Sequence, residues 1–163
     1  MSIMSMCQWL QDTSIGTSIS QSIWVFPIIE TTHVLGLSFS VGLLLVSDLR
    51  LMGYIMKKRP VSEVYEQIKP WMFAGFAIMV ATGILLFWSQ AVKAYESIFF
   101  KTKIVLLVVA AINAIAFERG IYRKIDQWDN ALVPPREARI AGWASLILWA
   151  AIITCGRTMA YTF

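Results

Sequence analysis

The chain predicts an all-α membrane protein: a bundle of four transmembrane helices with a short N-terminal interfacial helix and both termini outside. Three observations predict it. Of 163 residues, 58% are hydrophobic and only 15% charged, with a mean hydropathy of +0.65, which is too apolar for a soluble domain of this size. Four segments, about Ser22–Ser47, Pro70–Val92, Phe99–Phe117 and Ile140–Tyr161, are apolar and long; a hydrocarbon layer of about 30 Å takes about 20 helical residues to cross. Lysine and arginine gather in two of the connections. Almost every residue belongs to a span or a short connection, so residues 1–163 form one integral membrane domain.

The opening "MSIMSMCQWLQDTSIGTSIS" has no lysine or arginine and no long apolar core, which does not match a cleaved signal peptide. Ile3, Met6, Cys7 and Leu10 recur at helical spacing opposite Ser5, Gln8 and Asp12, the pattern of a helix lying on a membrane. Met1, Met4, Met6 and Cys7 also offer soft sulfur ligands of the kind Cu(I) takes, against the plainer reading that they form the apolar face of an anchor. Cys7 and Cys155 are too few and too far apart to imply a disulfide framework.

The first span is expected to bend at Pro27, because proline removes a backbone donor and crowds the preceding turn. "KKRPVSEVYEQIKPW" suggests a turn at Pro60, a short helix capped by Ser62, and a new helix opened by Pro70. Pro134 and Pro135 in "NALVPPREAR" end one helix and start the next. Gly36, Gly42, Gly75, Gly83, Gly142 and Gly156 allow close helix approach or leave room for a flat ligand.

Orientation follows from the basic loops. Arg50, Lys57, Lys58, Arg59 and Lys69 follow the first span, and Arg119, Arg123, Lys124, Arg136 and Arg139 follow the third. By the positive-inside rule both loops are cytoplasmic, as in a multi-pass protein of the bacterial inner (cytoplasmic) membrane. The net charge of +4 is then a topology signal, with the lipid bilayer as partner and no indication of nucleic acid.

The stretch "VFPIIETTHVLGLSF" sets Glu30, Thr31, Thr32 and His33, the sole histidine, inside the first span. Glu30, His33, Leu37, Leu44 and Asp48 share one helical stripe. Ionisable groups in spans usually face a bundle interior or cavity, so this stripe is expected to face protein. Counting about 1.5 Å per residue brings Lys103 of the third span and Arg157 of the fourth to a similar depth. Lys101, Lys103 and Arg157 can alternatively snorkel to the interface, and Glu30 with His33 can form a purely structural pair. As a functional set, Glu30, His33, Lys103 and Arg157 form the candidate cofactor-binding site, with Glu30 and His33 the candidate metal ligands. Glu30, three residues before His33, is expected to accept a hydrogen bond from the imidazole, the role carboxylates often play beside ligating histidines. One histidine is too few for a closed zinc or di-iron site. Haem needs only one or two axial ligands, apolar and aromatic walls, and cations for its propionates. Trp24, Phe26, Phe39, Phe87, Trp88 and Phe99 are candidate walls.

"ETTHVLGLSFSVGLLLVSDLR", "KPWMFAGFAIMVATGILLF" and "FFKTKIVLLVVAAINAI" together resemble small bacterial membrane proteins related to the copper-resistance protein CopD and the HemJ-type protoporphyrinogen oxidases. The resemblance rests on an E-x-x-H-x-x-G first helix with a D-L-R end, and matches His33, Arg50, Gly75 with Gly83, and Lys103. The HemJ likeness implies b-type haem on His33 with Lys103 near the active site; the CopD likeness implies copper uptake or tolerance. Phe99 and Phe100 stand where the HemJ pattern has a tryptophan. The leading expectation is a haem b-binding redox protein, electron carrier or oxidoreductase, with His33 as axial ligand. The alternatives are a copper-handling protein using Glu30 and His33, and a structural accessory subunit of a larger membrane complex. A homo-oligomer suits so small a bundle.

Overall fold

The computed structural model of the chain describes residues 2–161, and every regular element among them is helical. In chain order these are α1 (Ile3–Gln11), α2 (Ser14–Gln21), α3 (Val25–Leu51), α4 (Val61–Ser89), α5 (Ala91–Glu96), α6 (Ile98–Ala116) and α7 (Arg136–Tyr161). Between α6 and α7 a π-helical turn, Phe117–Ile121, runs into a 3-10 segment, Tyr122–Gln127. α3, α4, α6 with this continuation, and α7 are long and apolar enough to cross a membrane. Val34, Leu35, Val105, Val108 and Ile147 leave their side chains uncovered by the chain, as lipid-facing positions do. The chain is therefore a multi-pass membrane protein, all-α with the four membrane-crossing helices its sequence predicts.

Several boundaries differ from expectation, each for a local reason. α3 begins at Val25, with the Ser22 hydroxyl accepting from the amides of Trp24 and Val25. Pro27 thus falls in the first turn, where its missing N–H has no intrahelical partner to lose, and there is no basis for a bend. α4 is one helix from Val61 through Pro70, so Pro70 does not open it and Ser62 does not cap it with its side chain. Asp129 caps it from the far loop: its carboxylate accepts from the Ser62 amide at 2.7 Å and the Ser62 hydroxyl at 2.6 Å. A carboxylate beside free N–H groups at a helix start also complements the helix dipole. The N-terminus forms two helices, capped by Ser2 and Thr13.

α3 and α4 form the tightest pair. Gly36, Ser40 and Gly75 meet at their crossing, where a Cβ on Gly75 would collide with the Ser40 hydroxyl. Ser40 is buried and donates to the Gly36 carbonyl at 2.7 Å, so small residues bring two backbones together without an orphaned hydroxyl. α6 and α7 pair through Asn113, which donates to the Ala141 carbonyl at 3.1 Å. α7 meets α3 where Gly142 faces the Asp48 carbonyl and the Ser145 hydroxyl bonds the Asp48 side chain. Phe76 of α4 stacks on Trp149 of α7, centroids 5.2 Å apart. α1 and α2 lie over the α4–α5 corner: Trp88 donates to Thr13 at 2.8 Å, and the Val92 amide to Gln11 at 3.2 Å.

The loop end is closed by Arg50. α3 stops in a Schellman turn, with Gly53 at φ +79° and the amides of Gly53 and Tyr54 bonded to the Arg50 and Leu49 carbonyls; glycine tolerates that left-handed conformation at no steric cost. The Arg50 side chain, 1% exposed, donates to the Arg59 carbonyl at 3.1 and 2.9 Å and to the Ala131 carbonyl at 3.2 Å. One guanidinium thus ties the α3–α4 loop to the α6–α7 loop. Leu51, Val61, Tyr65, Phe117, Ala138 and Ala141 pack beneath it.

Candidate functional site

At the opposite end of the bundle from Arg50, α3 carries His33 against α4. The half-buried imidazole has its Nδ1 3.0 Å from the Thr82 hydroxyl. That hydroxyl has a single proton, and it donates to the Ile78 carbonyl at 2.7 Å, the bond that threonine commonly makes one turn back within a helix. With the Thr82 proton used in that bond, the arrangement favours the tautomer in which His33 Nδ1–H donates to Thr82, with the Met79 carbonyl as a second acceptor in range. The consequence is chemical: Nε2 keeps its lone pair.

The ring lies over Gly83, where a Cβ would come within 3.2 Å of the imidazole Cε1. Glycine is what lets the imidazole approach the α4 backbone. Thr82 and Gly83 are adjacent, so the same turn of α4 supplies both the bond that fixes the tautomer and the space for the ring.

The second member is Lys103, half-buried, entering from α6. Its ammonium lies over Gly156 of α7, 3.5 Å from where a Cβ would stand. It is close enough for its charge to act on His33 and on the Cys155 thiol, yet it makes no ion pair or hydrogen bond among the described residues. Two helices, α4 and α7, thus each present a glycine to a functional side chain from another helix.

Glu30 and Arg157 stand apart from this pair. Because α3 starts at Val25, Glu30 falls in its second turn, about 7–8 Å along the helix; it is exposed and forms no ion pair among the described residues. The expected bond from His33 to Glu30 is replaced by the bond to Thr82. Arg157 is exposed and donates to the Tyr161 hydroxyl one turn on at 2.8 Å, with its guanidinium 5.4 Å from that ring's centroid. Lys101, likewise exposed, sits over Tyr95. Arg157 and Lys101 are exposed, whereas Lys103 is half-buried between helices.

The N-terminal sulfurs do not converge. Cys7 is 8% exposed and packed inward while Met6 is 57% exposed, and Met1 lies outside the described residues. Among the described residues no three His, Cys, Asp or Glu side chains gather in a metal-binding group. Of the candidate walls, Phe87 stacks on Phe100 with centroids 5.4 Å apart, Trp88 is bonded to Thr13, and Trp24 and Phe39 are exposed.

Thr82 is the site residue that sequence reasoning missed. Its signal was an isolated hydroxyl directly before Gly83 in an otherwise apolar span; its partner could not be found without knowing which face of α4 meets α3.

No curated protein and no solved structure matches the chain. A family model described as a family of unknown function (DUF6644) matches residues 10–162. The match takes in α2 through α7 and with them His33, Thr82, Gly83 and Lys103, and the chain belongs to this family.

Proposed function

We propose that the protein binds haem b in the membrane and serves in redox chemistry, as an electron carrier or haem-dependent oxidoreductase, with His33 as axial ligand. The observation that carries this reading is the contact of His33 Nδ1 with the Thr82 hydroxyl: an imidazole held through Nδ1–H presents an unprotonated Nε2, which is the form that ligates a metal. The donor set fits haem better than a bare ion. An iron porphyrin takes one imidazole and supplies its other four nitrogens itself, whereas zinc or copper needs further protein ligands. Haem would bring one-electron chemistry to the site. Lys103, with no carboxylate partner among the described residues, suits a propionate.

The topology that accompanies this reading has both termini outside and the two basic loops cytoplasmic, in a bacterial inner membrane. A reporter fused after Phe163 is expected to be active on the outer side only; activity restricted to the cytoplasm would reverse the assignment.

The test of the cofactor is spectroscopic. Protein purified from haem-replete cells is expected to show a Soret band that shifts on reduction. His33→Ala is expected to abolish the band and leave the helical content unchanged. Thr82→Val, which keeps the shape and removes the acceptor, is expected to weaken haem retention by about 10–100-fold. A colourless preparation without iron would sink the haem reading and leave His33 a structural group of an accessory subunit.

A further inference from the structure

A second site is built where α6 ends, and it owes nothing to His33. α6 leaves regular geometry at Phe117 through the π-helical turn and the 3-10 segment, and Lys124 departs from helical backbone angles altogether. Such π turns are uncommon and recur at functional sites. Here the widened turn borders a concavity of about 690 Å³, whose wall includes Arg119, Gly120, Arg123, Lys124, Trp128 and Glu137. Three cations face one carboxylate. Among the described residues none of the three cations makes an ion pair or a hydrogen bond, although carboxylates elsewhere on this surface are engaged, Glu118 by Lys69 at 2.6 Å and Glu66 by Tyr122 at 2.8 Å. Beside Gly120 there is open space rather than a packed neighbour.

The level of this concavity identifies its ligand. The apolar run of α6 ends at Ala116 and that of α7 starts at Ile140, so both spans leave the hydrocarbon layer at the rim of the concavity and its cations stand in the headgroup zone. A second hollow of about 260 Å³ adjoins it, sharing Ile121 and Glu137, and runs between α6 and α7 past Ala116, Phe117, Ile140 and Ala141. A polar chamber carrying unpaired cations, continued by an apolar groove along the span, has the shape and chemistry of one amphiphile.

We propose that the α6–α7 end is a binding site for an anionic phospholipid, its phosphate held by Arg119, Arg123 and Lys124 and one acyl chain lying in the groove between α6 and α7. The interfacial Trp128 lies at the level of the glycerol backbone, where tryptophan concentrates in membrane proteins. Glu137 limits the number of negative charges the head can carry.

The full-length protein, delipidated in detergent, tests this by native mass spectrometry under titration with phosphatidylglycerol or phosphatidylcholine of matched acyl chains, with inorganic phosphate as a separate arm. Phosphatidylglycerol is expected to be retained at a concentration at least about tenfold lower than phosphatidylcholine, since each basic side chain near an anionic headgroup favours it. The combined variant Arg119→Gln, Arg123→Gln, Lys124→Gln is expected to bring the two lipids level. Glu137→Gln, which touches none of the cations, is expected to widen the preference and decides the matter if the combined variant fails to fold. Equal retention of both lipids by the unaltered protein, a combined variant that keeps the full preference, or an unchanged preference in Glu137→Gln would each overturn the proposal. Displacement of phosphatidylglycerol by millimolar inorganic phosphate would assign the cations to a free anion instead.

Discussion

The two ends of the bundle handle buried polar side chains in opposite ways. At the loop end, Arg50 is bonded to carbonyls of two separate loops, Asp129 spends both carboxylate oxygens on Ser62, and Asp48 is held by Ser145. At the other end, His33 has its Nδ1 fixed and its Nε2 left over, and Lys103 has neither an ion pair nor a hydrogen bond among the described residues. Desolvating a charge is costly unless bonds compensate it. At the loop end the polar groups join segments of chain, although Arg50 Nη1 is buried without a hydrogen-bond partner; at the other end the bonds join no loops and most of the valence is left over. The difference in bonding separates architecture from candidate chemistry.

The largest effect that would sharpen this contrast is at Arg50. Arg50→Met is expected to cost about 1–3 kcal/mol for each buried carbonyl left without a donor, because the Arg59 and Ala131 carbonyls lose theirs together. His33→Ala is expected to cost about 1 kcal/mol, one hydrogen bond. Denaturant or thermal unfolding in detergent compares them, and equal losses would break the distinction between the two ends.

Gly75→Ala probes the seam between them. Its new methyl group would meet the Ser40 hydroxyl, so α3 and α4 have to separate, at a cost of about 1–3 kcal/mol typical of overpacking. The double variant with Ser40→Gly is expected to recover part of that loss, and failure to do so would locate the clash elsewhere.

Asp129→Ala removes a helix cap supplied from another loop, and the expected loss is about 0.5–2 kcal/mol. Ser62→Ala alone is expected to cost less, since the Ser62 amide keeps its bond to Asp129; the reverse order would contradict the capping role. Smallest of all is Glu30→Gln. With no ion-pair partner among the described residues, it is expected to change stability by less than about 0.5 kcal/mol and to be additive with Arg157→Gln within about the same margin. Strong coupling between the two would restore the pairing that their depth suggested.

What the sequence determined by itself is what depends on neighbours along the chain. Composition and run length set the all-α class and the four membrane-crossing helices, because a backbone in hydrocarbon has to satisfy its own hydrogen bonds. The glycines of the spans were visible as points of close approach, and His33 as the group that needs a reason to be there. The rest depended on which helix faces meet. Pro70 reads as a helix start, yet α4 runs through it, its first turn held from outside by Asp129. Arg50 reads as a loop charge, yet the Schellman turn at Gly53 folds it beneath two loops. Glu30 and Lys103 read as equally deep, yet a start at Val25 lifts Glu30 to the edge while Gly156 admits Lys103 to the interior. Thr82 became a partner of His33 only when Gly36 and Gly75 let α3 and α4 touch. Periodicity along one helix names the residues sharing a face, and only the packing of several helices decides which face is covered and by what.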